Sequence, residues 1–214
     1  MPPVQKEETM DPKWLEWARK IQAIAQNGLT YTESPYDRER YKALREVAFE
    51  ILAEQSDADL PRIRELFEGE TGYATPKVDV RGVIFRDGKI LLVRERLDGR
   101  WTLPGGWADV WDTPSEAVER EVYEESGYRV RATKLLAVWD RRLHGHPPPL
   151  HNIYKLVFRC ELLGGEATES LETMGVGFFG EDAWPELSLP RTTPWQLKRL
   201  FEHLRHPDWP TDFD

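Results

Sequence analysis

Three glutamates and one arginine lie within six residues of the chain, in the run Arg120-Glu121-Val122-Tyr123-Glu124-Glu125. A helix turns about 100° per residue, so it would hold the three carboxylates within about 100° of arc. Like charges at these spacings destabilise a free helix by about 0.2–0.5 kcal/mol per pair. A hard divalent cation would offset that repulsion, because Mg²⁺ binds carboxylate and phosphate oxygens. The run therefore predicts metal-assisted attack of water on a pyrophosphate, and a solvated acidic helix face is the weaker interpretation.

A helix with well-marked ends must position these side chains. The segment Thr113-Pro114-Ser115-Glu116 is typical of a capping box with proline at the first helical position. Gly127 stands where a left-handed C-cap is expected. We therefore predict a helix over Pro114–Ser126, with Val118 and Val122 facing a core.

The segment around this helix predicts an α+β domain at 75–214. The runs KVDVRGVIF and KILLVRER flank Asp87-Gly88, which is typical of a hairpin. Further strands are predicted in RVRATKLLAVWDRR, IYKLVFRCELLGG and VGFFGEDAW, with a short strand or bridge at WTLP. A last helix is predicted over Thr193–Leu204, with Thr193 as its cap.

Three helices are predicted before this domain, in a small all-α domain at 1–74. Asp11-Pro12 is typical of a helix start with Asp11 as N-cap, and Asn27-Gly28 of a helix end. The apolar stripe of this first helix is Trp14, Trp17, Ala18, Ile21, Ile24 and Ala25. The other helices are predicted over about Tyr36–Ala53 and after Asp59. Because so small a core is marginal alone, we expect the domain to pack on the second domain or on a partner subunit. The tryptophans of the first helix then lie in the core, at a dimer contact or against substrate.

The bulk composition narrows the function classes. The 214 residues carry a net charge of −9, which argues against a protein that coats nucleic acid but not against a nucleotide substrate. The chain contains no apolar run long enough to span a membrane, and MPPVQKEETM lacks the apolar core of a secretory signal. Cys160 is the single cysteine and lies in an apolar run, so we expect a buried structural thiol. Together these features predict a cytoplasmic protein.

The central stretch resembles the Nudix box, whose pattern is G-x5-E-x7-R-E-U-x-E-E-x-G-U with U an aliphatic or aromatic residue. The chain matches this pattern from Gly106 to Tyr128, with one departure at Asp112, where the family usually has glutamate. The resemblance implies the Nudix fold, a mixed β-sheet sandwiched between α-helices. It also implies cleavage of a nucleoside diphosphate linked to another moiety, with Mg²⁺ or Mn²⁺ as cofactor. By position, Glu121, Glu124 and Glu125 are implied to be metal ligands, and Arg120 is implied to orient a box glutamate.

The segments DPKWLEWARKIQAIAQNGLTYT, LPGGWADV, YKLVFRCEL and VGFFGED extend the resemblance to a Nudix subfamily with an N-terminal helical domain. That group includes CDP-choline pyrophosphatases and ADP-ribose pyrophosphatases, and its N-terminal domain helps to form a homodimer. We therefore expect CDP-choline as the first substrate candidate and ADP-ribose as the second. Sanitising of nucleoside triphosphates and trimming of RNA ends are alternatives, although no basic strip for RNA is visible. A non-catalytic nucleotide-binding module is a more remote alternative, because the chain retains all the glutamates at the metal positions.

Substrate selection must come from residues outside the box. Arg81 and Arg94 lie on strands that lead to the site, and they hold phosphates or else pair with Asp79 or Glu95 at the surface. Gly105 and Gly106 allow close backbone approach. Trp107 stacks on a base or packs in the core. The acidic loop contains Glu166, Glu169 and Glu172, and we expect Glu172 to be the catalytic base or an extra ligand. His144, His146 and His151 flank a proline-rich loop and are expected to be mostly solvent-exposed, with ligand contact as the minor alternative; they lack zinc spacing.

Overall fold

The computed structural model describes residues 11–55 and 58–214, so the predicted lack of a signal in the first ten residues falls outside it. The chain divides into two compact units. The first, here called the helical unit, lies within residues 10–76, and the second, the mixed unit, runs from Lys77 to Asp214. In the described part of the chain, no helix combines the length and the apolarity needed to cross a bilayer.

The helical unit contains three helices: α1 (Lys13–Tyr31), α2 (Pro35–Glu54) and α3 (Leu60–Glu68). Ser34 and Asp59 cap α2 and α3, since their side chains accept backbone N–H groups at 3.2 and 3.0 Å. The core between the helices includes Phe49 and Phe67, whose rings stack with centroids 5.4 Å apart. The predicted second helix is confirmed to within one residue at each end, and the third begins directly after Asp59, as predicted.

The two predicted boundaries of α1 are wrong. Asp11 does not cap the helix: Pro12 occupies the N-cap position without a side-chain cap, and the Asp11 carboxylate binds Arg19 instead. Gly28 does not end the helix, which continues to Tyr31. A Cβ atom at Gly28 would lie 2.4 Å from the Tyr41 ring of α2. The glycine therefore lets two helices approach each other closely, a requirement that local sequence does not reveal.

The predicted apolar stripe of α1 is only partly buried. Ala18 and Ala25 are fully buried, whereas 58% of Trp17 and 57% of Ile24 remain exposed. The predicted stripe therefore leaves two large apolar side chains of α1 at the surface.

The mixed unit contains seven strands, two α-helices and one short 3-10 helix (Arg141–Leu143). The strands and α-helices follow in the order β1 (Lys77–Arg86), β2 (Lys89–Glu95), β3 (Trp101–Thr102), α4 (Pro114–Ser126), β4 (Tyr128–Asp140), β5 (Ile153–Gly165), β6 (Thr173–Phe179), α5 (Pro194–Arg205) and β7 (Asp212–Phe213). The strand order is β3-β2-β1-β5-β4-β7, and β6 pairs with β2. β1 is parallel to β5 and antiparallel to β2, so the sheet is mixed. The predicted hairpin is confirmed: Asp87 and Gly88 have φ values of 52° and 71° between β1 and β2.

Helices cover both faces of this sheet. On one face, Val118 and Val122 of α4 pack in a cluster with Val80 and Ile84 of β1. Gly82 makes the approach possible, because a Cβ there would lie 2.4 Å from the Val122 side chain. On the other face, residues of α5 pack in a second cluster that includes Val83 and Leu92, together with Leu197, Leu200 and Phe201. The arrangement confirms a mixed sheet sandwiched between helices, with a helical region before it.

Cys160 lies in the first of these clusters, 4% exposed, and burial raises the pKa of its thiol to about 12. The thiol therefore stays protonated near neutral pH, which confirms the expectation of a buried structural cysteine.

Candidate active site

The helix that carries the glutamates has the predicted bounds and caps. The Thr113 hydroxyl accepts the Glu116 N–H at 3.3 Å, and the Glu116 carboxylate accepts the Thr113 N–H at 2.9 Å. At the other end, Gly127 adopts φ 75° and its N–H donates to the carbonyl of Tyr123. These ends fix the register of α4, and therefore the direction of each glutamate on it.

Glu125 is the most deeply enclosed of the three box glutamates, with 5% of its surface exposed. Its Oε2 accepts the backbone N–H of Gly105 at 2.8 Å. Burial raises the pKa of this carboxyl to about 8; Arg81 and the Gly105 N–H oppose the shift, while Glu95 and Glu121 add to it. The side chain is thus held firmly in a place where its ionised form is costly without a cation.

The two glycines before α4 allow this packing. Gly105 adopts φ 134°, and a Cβ there would lie 2.1 Å from the carbonyl oxygen of Val80. At Gly106 a Cβ would lie 2.6 Å from Glu121 Oε2. The path of the loop beside β1 therefore requires glycine at Gly105, and a side chain at Gly106 would displace the Glu121 carboxylate.

Arg120 gathers the acidic side chains around it. Its Nη1 donates to Glu121 Oε1 at 2.9 Å and to Glu124 Oε2 at 3.0 Å. Its Nε donates to Asp112 Oδ2 at 3.0 Å. Asp112, the one departure from the box pattern, therefore reaches the arginine directly despite its shorter side chain. Burial raises the pKa of Glu121, an effect that Arg120 opposes and Glu124 reinforces.

A cavity of about 740 Å³ opens beside Glu125. Carboxylates, arginines and an indole share its wall; the polar and aromatic members are Asp79, Arg81, Glu95, Asp98, Arg100, Trp107, Glu125, Arg141, His151, Glu172 and Arg191. Trp107 is 55% exposed there, so it belongs to the cavity wall and not to the core. Acidic and basic groups in one hollow suit a metal-bound, phosphate-bearing ligand.

Glu95 lines the cavity, although the sequence predicted it only as an ion-pair partner of an arginine. It is 6% exposed, and its Oε1 lies 3.1 Å from Arg191 Nε. Burial raises its pKa, which Arg191 and Arg81 oppose. The alternation of side chains along a strand could have predicted its burial, because Glu95 lies on the same side of β2 as the buried Val93.

Arg81 lines the cavity but is already engaged. Its Nε and Nη2 donate to Asp79 at 2.8 and 2.7 Å, and its Nη1 donates to the carbonyl of Leu103 at 2.9 Å. Lys155 donates to the same aspartate at 2.9 Å. Although burial opposes it, the charges of Arg81 and Lys155 hold the pKa of Asp79 well below its usual range. Arg81 is therefore held between Asp79 and the carbonyl of Leu103, two residues before Gly105.

The remaining predicted residues divide between cavity and surface. Glu172 is exposed and lines the cavity. Its loop is fixed to α4, since Thr173 Oγ1 donates to the carbonyl of Glu125 at 2.7 Å and Thr168 N–H to that of Ser126 at 3.0 Å. Arg94 is exposed and lies outside the cavity wall, with its Nε donating to the carbonyl of Gly99 at 2.7 Å.

The prediction of solvent-exposed histidines is wrong for two of the three. His144 is 3% exposed, lies near the rings of Trp139 and Trp195, and contacts the Asp214 carboxylate at 2.9 Å. His146 is 4% exposed, and its Nδ1 donates to the carbonyl of Leu189 at 2.7 Å. Burial lowers the pKa of His146 to about 3, with a further contribution from Lys155. Packing against aromatic rings explains the burial of His144, and a bond to a carbonyl 43 residues away accompanies that of His146; the local sequence shows neither.

The box carboxylates fit a hard divalent cation by their chemistry. As the side chains stand, no three acids, histidines or cysteines of the described residues are grouped closely enough to hold an ion. Arg120 draws Glu121 and Glu124 to its guanidinium, and Glu125 is directed to Gly105. Their oxygens suit Mg²⁺ or Mn²⁺, and a nearby cation would relieve the burial that raises the pKa values of Glu121 and Glu125.

Comparison with known proteins assigns this site to a family. A family model described as the NUDIX domain matches residues 75–196, and one described as a UDP-X-like N-terminal oligomerisation domain matches residues 12–67. A Bacillus subtilis (strain 168) protein provisionally named ADP-ribose pyrophosphatase is 48% identical, covering 94% of this chain and 97% of its own. The crystal structure of a UDP-X diphosphatase is similar with a TM-score of 0.62 and 35% identity, covering 94% of this chain and 98% of that one. An ADP-ribose pyrophosphatase from Streptococcus suis 89-1591 has a TM-score of 0.60 and 42% identity, covering 65% and 100% respectively. The chain therefore belongs to the Nudix hydrolase family and carries a UDP-X-like N-terminal oligomerisation domain.

Proposed function

We propose that this protein is a divalent-metal-dependent pyrophosphohydrolase of nucleoside diphosphates linked to another moiety. The observation that supports it best is Glu125, a buried carboxylate held by the Gly105 N–H in the wall of a cavity shared with Glu95 and Glu172. Cleavage would release a nucleoside monophosphate and a phosphorylated X group. Nudix hydrolases generally use divalent metal ions, and we propose Mg²⁺ or Mn²⁺ here.

We propose that Glu121, Glu124 and Glu125 hold this ion. When bound, it neutralises pyrophosphate charge and makes phosphorus easier to attack. Arg120 orients the carboxylates of Glu121 and Glu124 through the two bonds that its Nη1 donates. Gly105 and Gly106 bring backbone close to the substrate phosphates, and the Gly105 N–H fixes Glu125.

Glu172 is our candidate for the general base. Its carboxylate is exposed at the cavity, where it can accept a proton from water. The water oxygen forms a bond to one phosphorus as the bond from that phosphorus to the bridging oxygen breaks. The proton moves to Glu172, and the bridging oxygen leaves on the second phosphate. The tether from Thr173 to the Glu125 carbonyl keeps base and box helix in register.

The substrate is proposed from the cavity wall and from relatives. The names of the relatives favour ADP-ribose and UDP-X compounds, and CDP-choline, the first candidate from sequence, remains in the same class. Trp107 offers a half-exposed indole on which a base can stack. Arg191 lines the cavity near Glu95 and is a better placed phosphate ligand than Arg94.

A panel of ADP-ribose, UDP-glucose and CDP-choline with Mg²⁺ and with Mn²⁺ tests the proposal. We expect hydrolysis of at least one, and a fall of at least about a hundredfold in kcat for Glu125→Gln and Glu124→Gln. Glu119→Gln is the matched control, since this α4 glutamate binds the Ala132 N–H at 2.8 Å and lies outside the cavity wall. Wild-type rates for Glu124→Gln would overturn the metal-ligand assignment. Reaction in ¹⁸O-water then identifies the attacked phosphorus.

The same panel tests the alternatives if it includes nucleoside triphosphates and a 5′-triphosphorylated RNA. Release of inorganic pyrophosphate from a triphosphate at the higher kcat/KM would favour a sanitising enzyme. Preferred turnover of the RNA would favour end trimming. Tight nucleotide binding without turnover at any divalent metal would indicate a binding module.

We further propose that residues 1–74 form one domain and 75–214 the other, and that the protein is a cytoplasmic homodimer assembled through the first. The match to an oligomerisation domain and the 58% exposure of Trp17 support this assignment. Light scattering of the full chain should give twice the 25.0 kDa monomer mass. Trp17→Glu should reduce it to the monomer, and an unchanged dimer would exclude Trp17 from the interface.

A further inference from the structure

A second pocket, here called the hollow, lies within the helical unit, and none of its lining residues belongs to the Nudix box. It measures about 410 Å³, within the range of about 300–1,000 Å³ typical of small-ligand sites. Its wall contains three basic side chains of α2, namely Arg38, Lys42 and Arg45. These residues are four and three positions apart, so they lie on one face of the helix.

None of these three side chains forms a salt bridge with an acid in the described part of the chain. Arg38 donates to two backbone carbonyls, those of Leu29 at 3.4 Å and Thr32 at 3.0 Å. The guanidinium of Arg45 lies over the Phe49 ring at 5.8 Å from its centroid. Its Nε is enclosed, and no acceptor among the described residues satisfies it. A buried donor without an acceptor is costly unless a ligand or water supplies one.

Other basic side chains of the same unit do form ion pairs with acids. Lys20 pairs with Glu16, Arg40 with Asp37, Arg62 with Glu65, and Arg64 with Glu46. In a protein of net charge −9, acids are available to pair with cations. The cations at the hollow nevertheless outnumber the one acid in its wall, Glu70, by three to one.

We propose that this hollow binds a phosphate dianion, either inorganic phosphate or the phosphate of a mononucleotide. Guanidinium groups match phosphate oxygens in geometry and charge, and Lys42 adds a mobile ammonium. The rest of the wall offers the side chains of Gln26, Thr30 and Thr71 to the remainder of the ligand. The hollow is small, and the chain as a whole is acidic, so a mononucleotide fits these features better than a nucleic acid strand. The site is independent of the hydrolytic function proposed above.

Calorimetric titration of the full-length protein tests the site, in phosphate-free buffer with a chelator that keeps the box carboxylates free of metal. Inorganic phosphate and AMP are titrated separately, to distinguish the two sources of the dianion. We expect saturable binding of at least one, weakened about tenfold or more by Lys42→Glu. Lys20→Glu is the matched control, because it makes the same charge change at an exposed lysine of α1 outside the hollow. Arg45→Gln should weaken binding as well.

Equal affinities for Lys42→Glu and Lys20→Glu would overturn the proposal. So would binding of a short RNA where neither phosphate nor AMP binds. Light scattering on the same variants tests whether the hollow is instead a subunit contact. That is the conclusion if Lys42→Glu loses self-association and the wild type binds no phosphate. Because Lys42 is exposed, its replacement should leave the melting temperature unchanged, and this is checked first.

Discussion

Replacing Glu125 by glutamine tests the electrostatics of the cavity in the metal-free protein. Burial raises the pKa of Glu125 to about 8, from 4.5 in an unfolded chain. The folded state therefore holds this proton more tightly than the unfolded state. The resulting stability is fully present below pH 4.5 and is lost as the pH rises through 8. Glutamine keeps the shape and the oxygen that accepts the Gly105 N–H, but it cannot ionise.

The size of the effect follows from these values. The difference between 8 and 4.5, at about 1.36 kcal/mol per pKa unit, sets an upper limit of about 5 kcal/mol at pH 9. Local rearrangement and water entry reduce the cost of a buried charge, so we expect Glu125→Gln to be more stable than wild type by about 2–3 kcal/mol at pH 9. At pH 5 the difference should be below about 1 kcal/mol, because the folded carboxyl is then protonated.

Urea unfolding followed by tryptophan fluorescence measures this difference at both pH values in the presence of a chelator. The two units can unfold separately, so each transition is fitted by itself. Glu119→Gln is the control, because its carboxylate also binds a backbone N–H but lies outside the cavity wall. Adding Mg²⁺ should stabilise wild type at pH 9 more than Glu125→Gln, since the cation favours the ionised carboxylate.

An equal difference in stability between Glu125→Gln and wild type at pH 5 and pH 9 would refute a raised pKa of Glu125. So would a variant that is less stable than wild type at pH 9. Either result would mean that the carboxylate is well solvated in the folded state or that Arg81 neutralises it completely.

Three further predictions concern backbone space and the cavity wall. Gly105→Ala should lower the free energy of unfolding by about 2 kcal/mol or more, because φ is 134° and a Cβ would meet the Val80 carbonyl at 2.1 Å. It should also lower kcat/KM at least about tenfold. Urea unfolding measures the first effect and steady-state kinetics the second. Gly28→Ala should destabilise the helical unit by about 1–2 kcal/mol through its contact with the Tyr41 ring, and Tyr41→Leu should reduce that loss in the double variant. Arg94→Gln should leave kcat/KM within about twofold of wild type, whereas a tenfold fall would mean that this side chain reaches the substrate.

Local signals in the sequence were sufficient to predict the helix that carries the box. Its capping box and its C-terminal glycine lie in the segment itself, so both ends of Pro114–Ser126 could be predicted without any knowledge of the fold. The hairpin at Asp87-Gly88 is of the same kind. For these two features the immediate neighbours set the backbone conformation, and the prediction and the structure agree.

Three of the errors have a cause that is distant in sequence. Gly28 was interpreted as a helix end, although it makes room for Tyr41 on another helix. His144 was expected at the surface, although it packs against Trp195 near the chain's end. The short strand Asp212–Phe213 was missed because two residues carry no periodic pattern, and it forms by pairing with β4. Tertiary packing decides each of these cases.

Two hydrogen bonds between the acidic loop and α4 limit how this enzyme can be recombined with its relatives. They run from Thr173 to the carbonyl of Glu125 and from Thr168 to the carbonyl of Ser126. A chimera whose crossover falls between residues 126 and 172 would inherit its acidic loop from one parent and its box helix from the other. Such a protein keeps the motif intact but can lose the junction that aligns Glu172 with Glu125. Successful chimeras should therefore draw both segments from the same parent, even though about 45 residues separate them along the chain.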